Sequence, residues 1–146
     1  MELNIPEFGL ASFGVEYVLR PGGYSVIFSA TGNVAVVMTP DGLALPGGGQ
    51  EGTESPEEAA VREAREECGL IIALGNRIGV ADELVFAEGR YYRKRCTFFI
   101  AESLESIAAS EPDHELIWMF PQKAMEQLRR QSQQWAVAEA CRLSAL

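Results

Sequence analysis

Basic residues, cysteine and histidine are all scarce in this chain, and each scarcity excludes something. Twelve Lys and Arg stand against 21 Asp and Glu, a net charge of −9. That balance excludes the basic stripe of a non-specific nucleic-acid surface, so no nucleic-acid polymer is expected as a partner. It does not exclude nucleotides, because a bound metal supplies positive charge locally. The three cysteines, Cys68, Cys96 and Cys141, are scattered, odd in number and without metal-ligand spacing. They read as reduced thiols of a cytoplasmic protein rather than a disulfide framework or a zinc site. The only histidine, His114, is of the residue type that most often serves as a general base, but a lone histidine in a polar loop is more often simply exposed. No run approaches the ~20 apolar residues of a membrane span, so no membrane partner is expected. The start, MELNIPEFGL, has neither a basic segment nor a long apolar one, so no signal peptide is expected either. There is no internal repeat and no low-complexity segment. At 146 residues the chain reads as one domain, 1–146, with a proper core.

What is present is concentrated in Gly48–Leu70, GGQEGTESPEEAAVREAREECGL. Ser55, Pro56 and Glu58 form a helix start: a capping serine, a proline at the first position and a capping-box glutamate. Gly69 supplies the left-handed residue that ends the helix. At about 100° per residue, Val61, Ala64 and Cys68 share one side, and Glu63, Glu66 and Glu67 the other, with Arg62 at the edge. A solvated acidic face is the ordinary reading of such a helix. Two effects oppose it. Glu63 and Glu67 are a like-charged i,i+4 pair, and Glu66 and Glu67 lie where the helix dipole disfavours anions. Three carboxylates held against both effects are suited to a hard cation such as Mg²⁺, or Mn²⁺, which takes oxygen ligands. Arg62 is placed to reach Glu58 and Glu66 and fix their rotamers. The preceding Leu45-Pro46-Gly47-Gly48-Gly49 lets the backbone turn sharply and approach a ligand, and a carbonyl there, at Gly47, would complete a metal shell.

The spacing Gly48-x5-Glu54-x7-Arg62-Glu63-Ala64-x-Glu66-Glu67-x-Gly69-Leu70 resembles the signature box of the Nudix hydrolases. Seven residue types are fixed over 23 residues, which makes a chance match improbable. Ala64 departs from the pattern, standing where the family usually has a larger aliphatic residue, and implies a tighter contact between helix and sheet. The resemblance implies an α/β fold: an α/β/α sandwich with a central mixed sheet. It implies metal-dependent hydrolysis of a nucleoside diphosphate linked to a further group X, with a nucleoside triphosphate or related nucleotide as the default substrate. Glu63, Glu66 and Glu67 would then be the catalytic metal ligands together with Gly47, and Glu54 and Arg62 would hold them through charge-assisted hydrogen bonds. A further loop acid joins the site in many members, and Glu115 and Glu111 both stand where it is expected. Small relatives are often dimers, so a homodimer is a possible assembly. Two other readings stay open: a nucleotide-binding or regulatory module without turnover, and an acidic domain that binds a basic protein. Retention of every ionisable residue of the box favours the enzyme.

Elsewhere, Tyr17–Leu19 and Tyr24–Phe28 are β-rich runs separated by a turn at Pro21-Gly22-Gly23. Val34–Met38 reads as a buried strand, and a turn at Thr39–Gly42 leads to Leu43–Leu45. Ile71–Val80 reads as a bent strand, followed by a hairpin of Leu84–Ala87 and Tyr91–Ala101 about Glu88-Gly89-Arg90. Alternation places Tyr91, Arg93 and Arg95 on one face of the second hairpin strand. They are suited to bind phosphate and stack on a base, as is Arg20. An exposed strand kept soluble by its arginines explains them equally well. Glu102–Asp113 reads as a loop and Leu116–Phe120 as a strand. Pro121 opens a helix, and a second follows Ser132 with Trp135, Ala138 and Cys141 toward the sheet.

Overall fold

A computed structural model of the protein describes residues 4–144. The box helix, α1, spans Pro56–Cys68. The Ser55 hydroxyl accepts from the Glu58 amide and the Glu58 carboxylate accepts from the Ser55 amide, each at 3.1 Å, so the capping box is closed. Gly69 ends the helix at φ +66°, with its N–H on the Ala64 and Arg65 carbonyls. A Cβ there would stand 2.2 Å from the Ile107 carbonyl oxygen, so the position is glycine for reasons of space as well as conformation.

The sheet contains β1 (Glu7–Gly9), β2 (Val18–Phe28), β3 (Val34–Thr39), β4 (Gly42–Ala44), β5 (Gly47–Gly49), β6 (Leu70–Ala87), β7 (Arg90–Ser106) and β8 (Glu115–Met119). Its order is β1-β6-β7-β2-β3-β4, with β5 paired to β2 and β8 to β3. The β2–β7 and β1–β6 pairs are parallel and the others antiparallel, so the sheet is mixed. Alternation along β2 and β3 divides the core in two. Val26, Val34 and Val36 pack with Phe98 against α2 (Pro121–Gln127) and α3 (Gln131–Ser144). Ile27, Ala35 and Val37 pack against Ala64 and Cys68 of α1. Helices thus cover both faces of the sheet, the expected sandwich. Phe98, fully buried between Tyr24 and Trp135 at centroid distances of 5.6 and 6.1 Å, anchors the first layer. Truncating such a ring to alanine costs ~3–5 kcal/mol. Among the described residues no helix is long and apolar enough to cross a membrane.

Several local expectations are corrected. Pro21-Gly22-Gly23 is not a turn, because β2 runs straight through it. The glycines serve close packing instead: a Cβ on Gly23 would stand 1.9 Å from the Pro56 carbonyl oxygen of α1, and one on Gly22 2.5 Å from that of Gly48. Val61 is 38% exposed while Ala59, Ala60 and Ala64 are fully buried; α1 meets β2 at Gly23, where a Cβ would stand 3.0 Å from the Ala60 amide nitrogen. On α3 the buried residues are Ser132, Gln133, Ala136, Val137 and Ala140, and Ala138 is exposed. Ile71–Val80 and Leu84–Ala87 are one strand, β6, with irregular register between Leu74 and Gly79. Residues 102–106 continue β7, so the loop before β8 begins only at Ile107. The hairpin about Glu88 and Gly89 is as expected, with both residues at positive φ.

Candidate active site

The paired strands β2 and β5 carry the glycine loop to α1. The Ser25 amide donates to the Pro46 carbonyl and the Gln50 amide to the Pro21 carbonyl, each at 3.0 Å, which clamps Gly47–Gly49 from both sides. The Gly47 N–H donates to Glu67 Oε1 at 2.9 Å. Gly48 lies against Glu63, whose carboxyl carbon would be 2.9 Å from any Cβ at that position. The loop therefore approaches two of the three box carboxylates through bare backbone.

Arg62 ties the loop to the helix. Its Nε and Nη2 donate to both Glu54 oxygens at 2.6 and 3.0 Å, and Nη2 also reaches the Gly49 carbonyl at 3.1 Å. Nη1 donates to Glu63 and, at 3.1 Å, to Glu66. Glu58 is spent on the capping box, so Arg62 holds Glu54 in place of the expected Glu58. The Arg62 hydrogen bond keeps the Glu54 carboxyl below the usual carboxylate range, and Arg62 itself is held protonated.

Glu67 has no such partner, and Glu63 shares Arg62 with Glu54 and Glu66. Glu67 is 7% exposed. Burial pushes its carboxyl up to about 8, the Gly47 N–H works the other way, and nearby Glu63 and Glu111 add to the rise. Glu63 is raised as well, with burial outweighing its bond to Arg62. Two groups of ligand atoms lie within 4.8 Å of one another, Glu63–Glu66–Glu111 and Glu67–Glu111–His114, and Glu111 belongs to both.

Glu111 arrives on the loop after β7. The amides of Ser110 and Glu111 both donate to the Glu66 carbonyl, at 3.1 and 3.2 Å, and the Ile107 amide donates to that of Gly69 at 2.7 Å. Those bonds occupy carbonyls that the end of α1 leaves without helical partners, and they hold Glu111 over the glutamates. Glu115 does not reach this place: it is exposed at the start of β8, opposite Met38. The local signal for Glu111 was the Glu111-Pro112-Asp113-His114 turn, in which the His114 amide donates to the Glu111 carbonyl at 3.2 Å.

A cleft of about 280 Å³ opens beside the loop, lined by Arg20, Tyr24, Gly47–Gly49, Tyr92 and Lys94. A second cavity of about 160 Å³ shares Tyr24, Gly47 and Lys94 with it and extends to Glu67, Arg129 and Arg130. Arg20 lies over the Tyr92 ring, 4.6 Å from its centroid. Burial lowers the pKa of Lys94, which has no ion-pair partner among the described residues. Lys94 and Tyr92 escaped the sequence reading because they alternate with the arginines on the same strand.

Tyr91, Arg93 and Arg95 occupy the other face of β7. Arg93 bonds Glu7 at 2.6 Å and Asp82 at 3.0 Å, and Arg95 grips both Asp82 oxygens at 2.9 and 3.0 Å. Tyr91 packs against Tyr17 and Phe86. The structure brings Arg20 to the loop and leaves these three apart from it. Burial pushes the Cys68 and Cys96 thiols up to about 12, so neither is a thiolate nucleophile at neutral pH.

Comparison with known proteins agrees with this geometry. The NUDIX domain profile matches residues 19–140. The mouse diphosphoinositol polyphosphate phosphohydrolase 3-alpha is 32% identical over an alignment covering 51% of this chain and 58% of the mouse protein. The chain thus spans little more than half the length of the curated relatives it matches. Among solved structures, the MutT protein of Methanosarcina mazei Go1 superposes with a TM-score of 0.71 at 18% identity, over 90% of this chain and 99% of that one. An Ap4A hydrolase of C. elegans, solved as a binary complex, gives 0.71 at 15% identity over 86% and 98%. The box closed by Arg62, its helix docked on a mixed sheet and the domain match over most of the chain place this protein in the Nudix family.

Proposed function

We propose that the protein hydrolyses a diphosphate bond in a nucleoside diphosphate linked to a further group, with Mg²⁺ or Mn²⁺ held by Glu63, Glu66, Glu67 and Glu111. The observation that carries this reading is the lack of a fixed positive charge at Glu67: a nearly buried carboxylate meets one amide, other acids and, at 3.5 Å, the His114 ring, with no arginine or lysine paired to it among the described residues. The donor set is all carboxylate oxygen apart from His114, which suits a hard divalent ion. Bound there, such an ion neutralises the diphosphate and lowers the pKa of an attacking water.

The chain's own residues do the rest. Arg62 fixes the rotamers of Glu63 and Glu66 against the Gly49 carbonyl. The Gly47 amide orients Glu67, and the Gly47 carbonyl is a further candidate ligand. Glu111 supplies the loop carboxylate in this reading, in place of Glu115. Arg20 and Lys94 offer cationic contacts in the cleft beside the loop, and Tyr92 offers a ring face. Roles in substrate binding for Arg93, Arg95 and Tyr91 have less support, because Asp82 and Glu7 already engage the two guanidinium groups. The default substrate is a nucleoside triphosphate. The relatives' names, a diphosphoinositol polyphosphate phosphohydrolase and an Ap4A hydrolase, extend the panel to other phosphate-rich compounds. The test is phosphate release from such a panel with Mg²⁺, Mn²⁺ or EDTA. Turnover of a diphosphate derivative that EDTA abolishes is the expected result, and no turnover of any of them with either metal would overturn the proposal.

A further inference from the structure

The imidazole of His114 stands inside the carboxylate cluster, with its side chain 17% exposed. Nδ1 lies 2.8 Å from Asp113 Oδ1 and 3.2 Å from Glu111 Oε2, and Nε2 points toward Glu67 Oε2 at 3.5 Å. The two ring nitrogens are therefore in different situations. Nδ1 has its shortest contact to Asp113, an acceptor outside the ligand groups, and a longer one to Glu111; a proton on Nδ1 serves both acceptors and leaves the lone pair on Nε2. A carboxylate behind one ring nitrogen with the other left free is the arrangement that orients metal-ligating histidines. The Nε2–Glu67 separation supports the same assignment. It exceeds the roughly 2.7–2.9 Å of a charge-assisted hydrogen bond. It leaves Nε2 and Glu67 Oε2 within the 4.8 Å over which the donors of this group gather.

We propose that His114 Nε2 is a metal ligand, forming with Glu67 and Glu111 a mixed nitrogen–oxygen position beside the all-oxygen group Glu63–Glu66–Glu111. This inference rests on the metal-dependent reading of the box and adds a distinction to it. The all-oxygen group suits Mg²⁺, whereas an imidazole donor favours a transition ion such as Mn²⁺ or Co²⁺. The two positions share Glu111 and differ in their other donors, and hence in which ion each prefers.

Because His114 is the only histidine of the chain, one spectrum of the tag-free 146-residue chain addresses the assignment. Pulsed electron paramagnetic resonance of the Mn²⁺-loaded protein is expected to show ¹⁴N coupling from a directly bound imidazole. In His114→Gln that coupling disappears and Mn²⁺ affinity falls by ~10-fold or more, the scale on which even outer contacts of a metal site register. Mg²⁺ affinity, read by competition, falls less. Asp113→Asn keeps the coupling, because the ligand is still present, but weakens Mn²⁺ binding. Mn²⁺ bound to wild type without ¹⁴N coupling overturns the inference and leaves the carboxylate site standing. Failure of wild type to bind Mn²⁺ at all overturns both. The wild-type spectrum is decisive even if the glutamine variant fails to fold.

Discussion

Asp82 and Glu67 are carboxylates buried to nearly the same degree, 2% and 7% exposed, and the protein treats them in opposite ways. Asp82 faces two guanidinium groups, Arg95 in a bidentate grip and Arg93 beside it. Burial alone would raise its pKa, but the two arginines outweigh burial and hold the carboxyl below the usual range. Glu67 has a single backbone amide, two neighbouring acids and the His114 ring at 3.5 Å, with no guanidinium group, and burial wins. Asp82 is complete as it stands, with its charge balanced inside the chain. On the proposed reading, Glu67 is complete only when a cation is brought in. On that reading the source of the compensating charge, and not burial, separates a structural acid from a functional one.

The largest effect is expected at the unbalanced acid. Glu67→Gln keeps the shape and the contact with the Gly47 amide, and should lower kcat by ~10²-fold or more in millimolar Mg²⁺, the scale of a lost electrostatic or acid–base group. Equal turnover in the two proteins would remove Glu67 from the chemistry. Asp82→Asn should do the converse. It weakens three charge-assisted hydrogen bonds, each worth about 1.5–3 kcal/mol before solvent screening at the half-exposed arginines. Chemical denaturation should show a loss of a few kcal/mol, while kcat of the folded fraction stays near wild type. A large fall in kcat without a loss of stability would reverse the contrast.

The third expectation concerns pH. Glu67 is raised from an ordinary 4.5 to about 8, so between those values the folded, metal-free state binds more protons than the unfolded state. Its contribution is fully present below about pH 4.5 and is lost as pH rises through about 8. Asp82 is lowered, so its contribution is present above about pH 3.8 and is lost on acidification. In EDTA the melting temperature should fall from pH 5 to pH 8.5, and Glu67→Gln should flatten that fall. A flat wild-type profile would count against an unbalanced Glu67. Because Glu67 is buried and not open to water, as its place on an acidic helix face implied, the metal-free gain from Glu67→Gln should exceed the few tenths of a kcal/mol of a surface charge pair.

The smallest effects are kinetic. Lys94→Met should raise KM about tenfold or less with kcat little changed, the signature of a contact made equally in ground and transition states. Arg93→Ala, which strand alternation alone marks as a phosphate contact, should instead lose stability and keep KM. The opposite pattern would return the phosphate contact to Arg93.

The box helix was legible because its signals are local: a capping box, a proline, a terminal glycine and a glutamate spacing all lie within 23 residues. Alternation along β7 was legible too, but not which face meets the glycine loop. That depends on Asp82, eleven residues from Arg93 along the chain and adjacent only once β6 and β7 pair. The turn at Pro21–Gly23 was misread for a related reason. Its glycines make room for α1 and β5, partners that no local window contains. Glu111 and Glu115 were inseparable because the bonds that decide between them run from residues 110 and 111 back to residue 66.

That last link gives Glu66 two separable jobs. Its side chain belongs to one ligand group, while its carbonyl receives the amides that seat the Glu111 loop. Any amino acid at position 66 carries the same carbonyl. On the proposed reading, a descendant that lost this glutamate would forfeit a metal contact and still keep the carbonyl that seats the loop. The architecture is thus insured against decay of the reaction, and a lineage could discard catalysis in one step while keeping a shaped pocket for some other use.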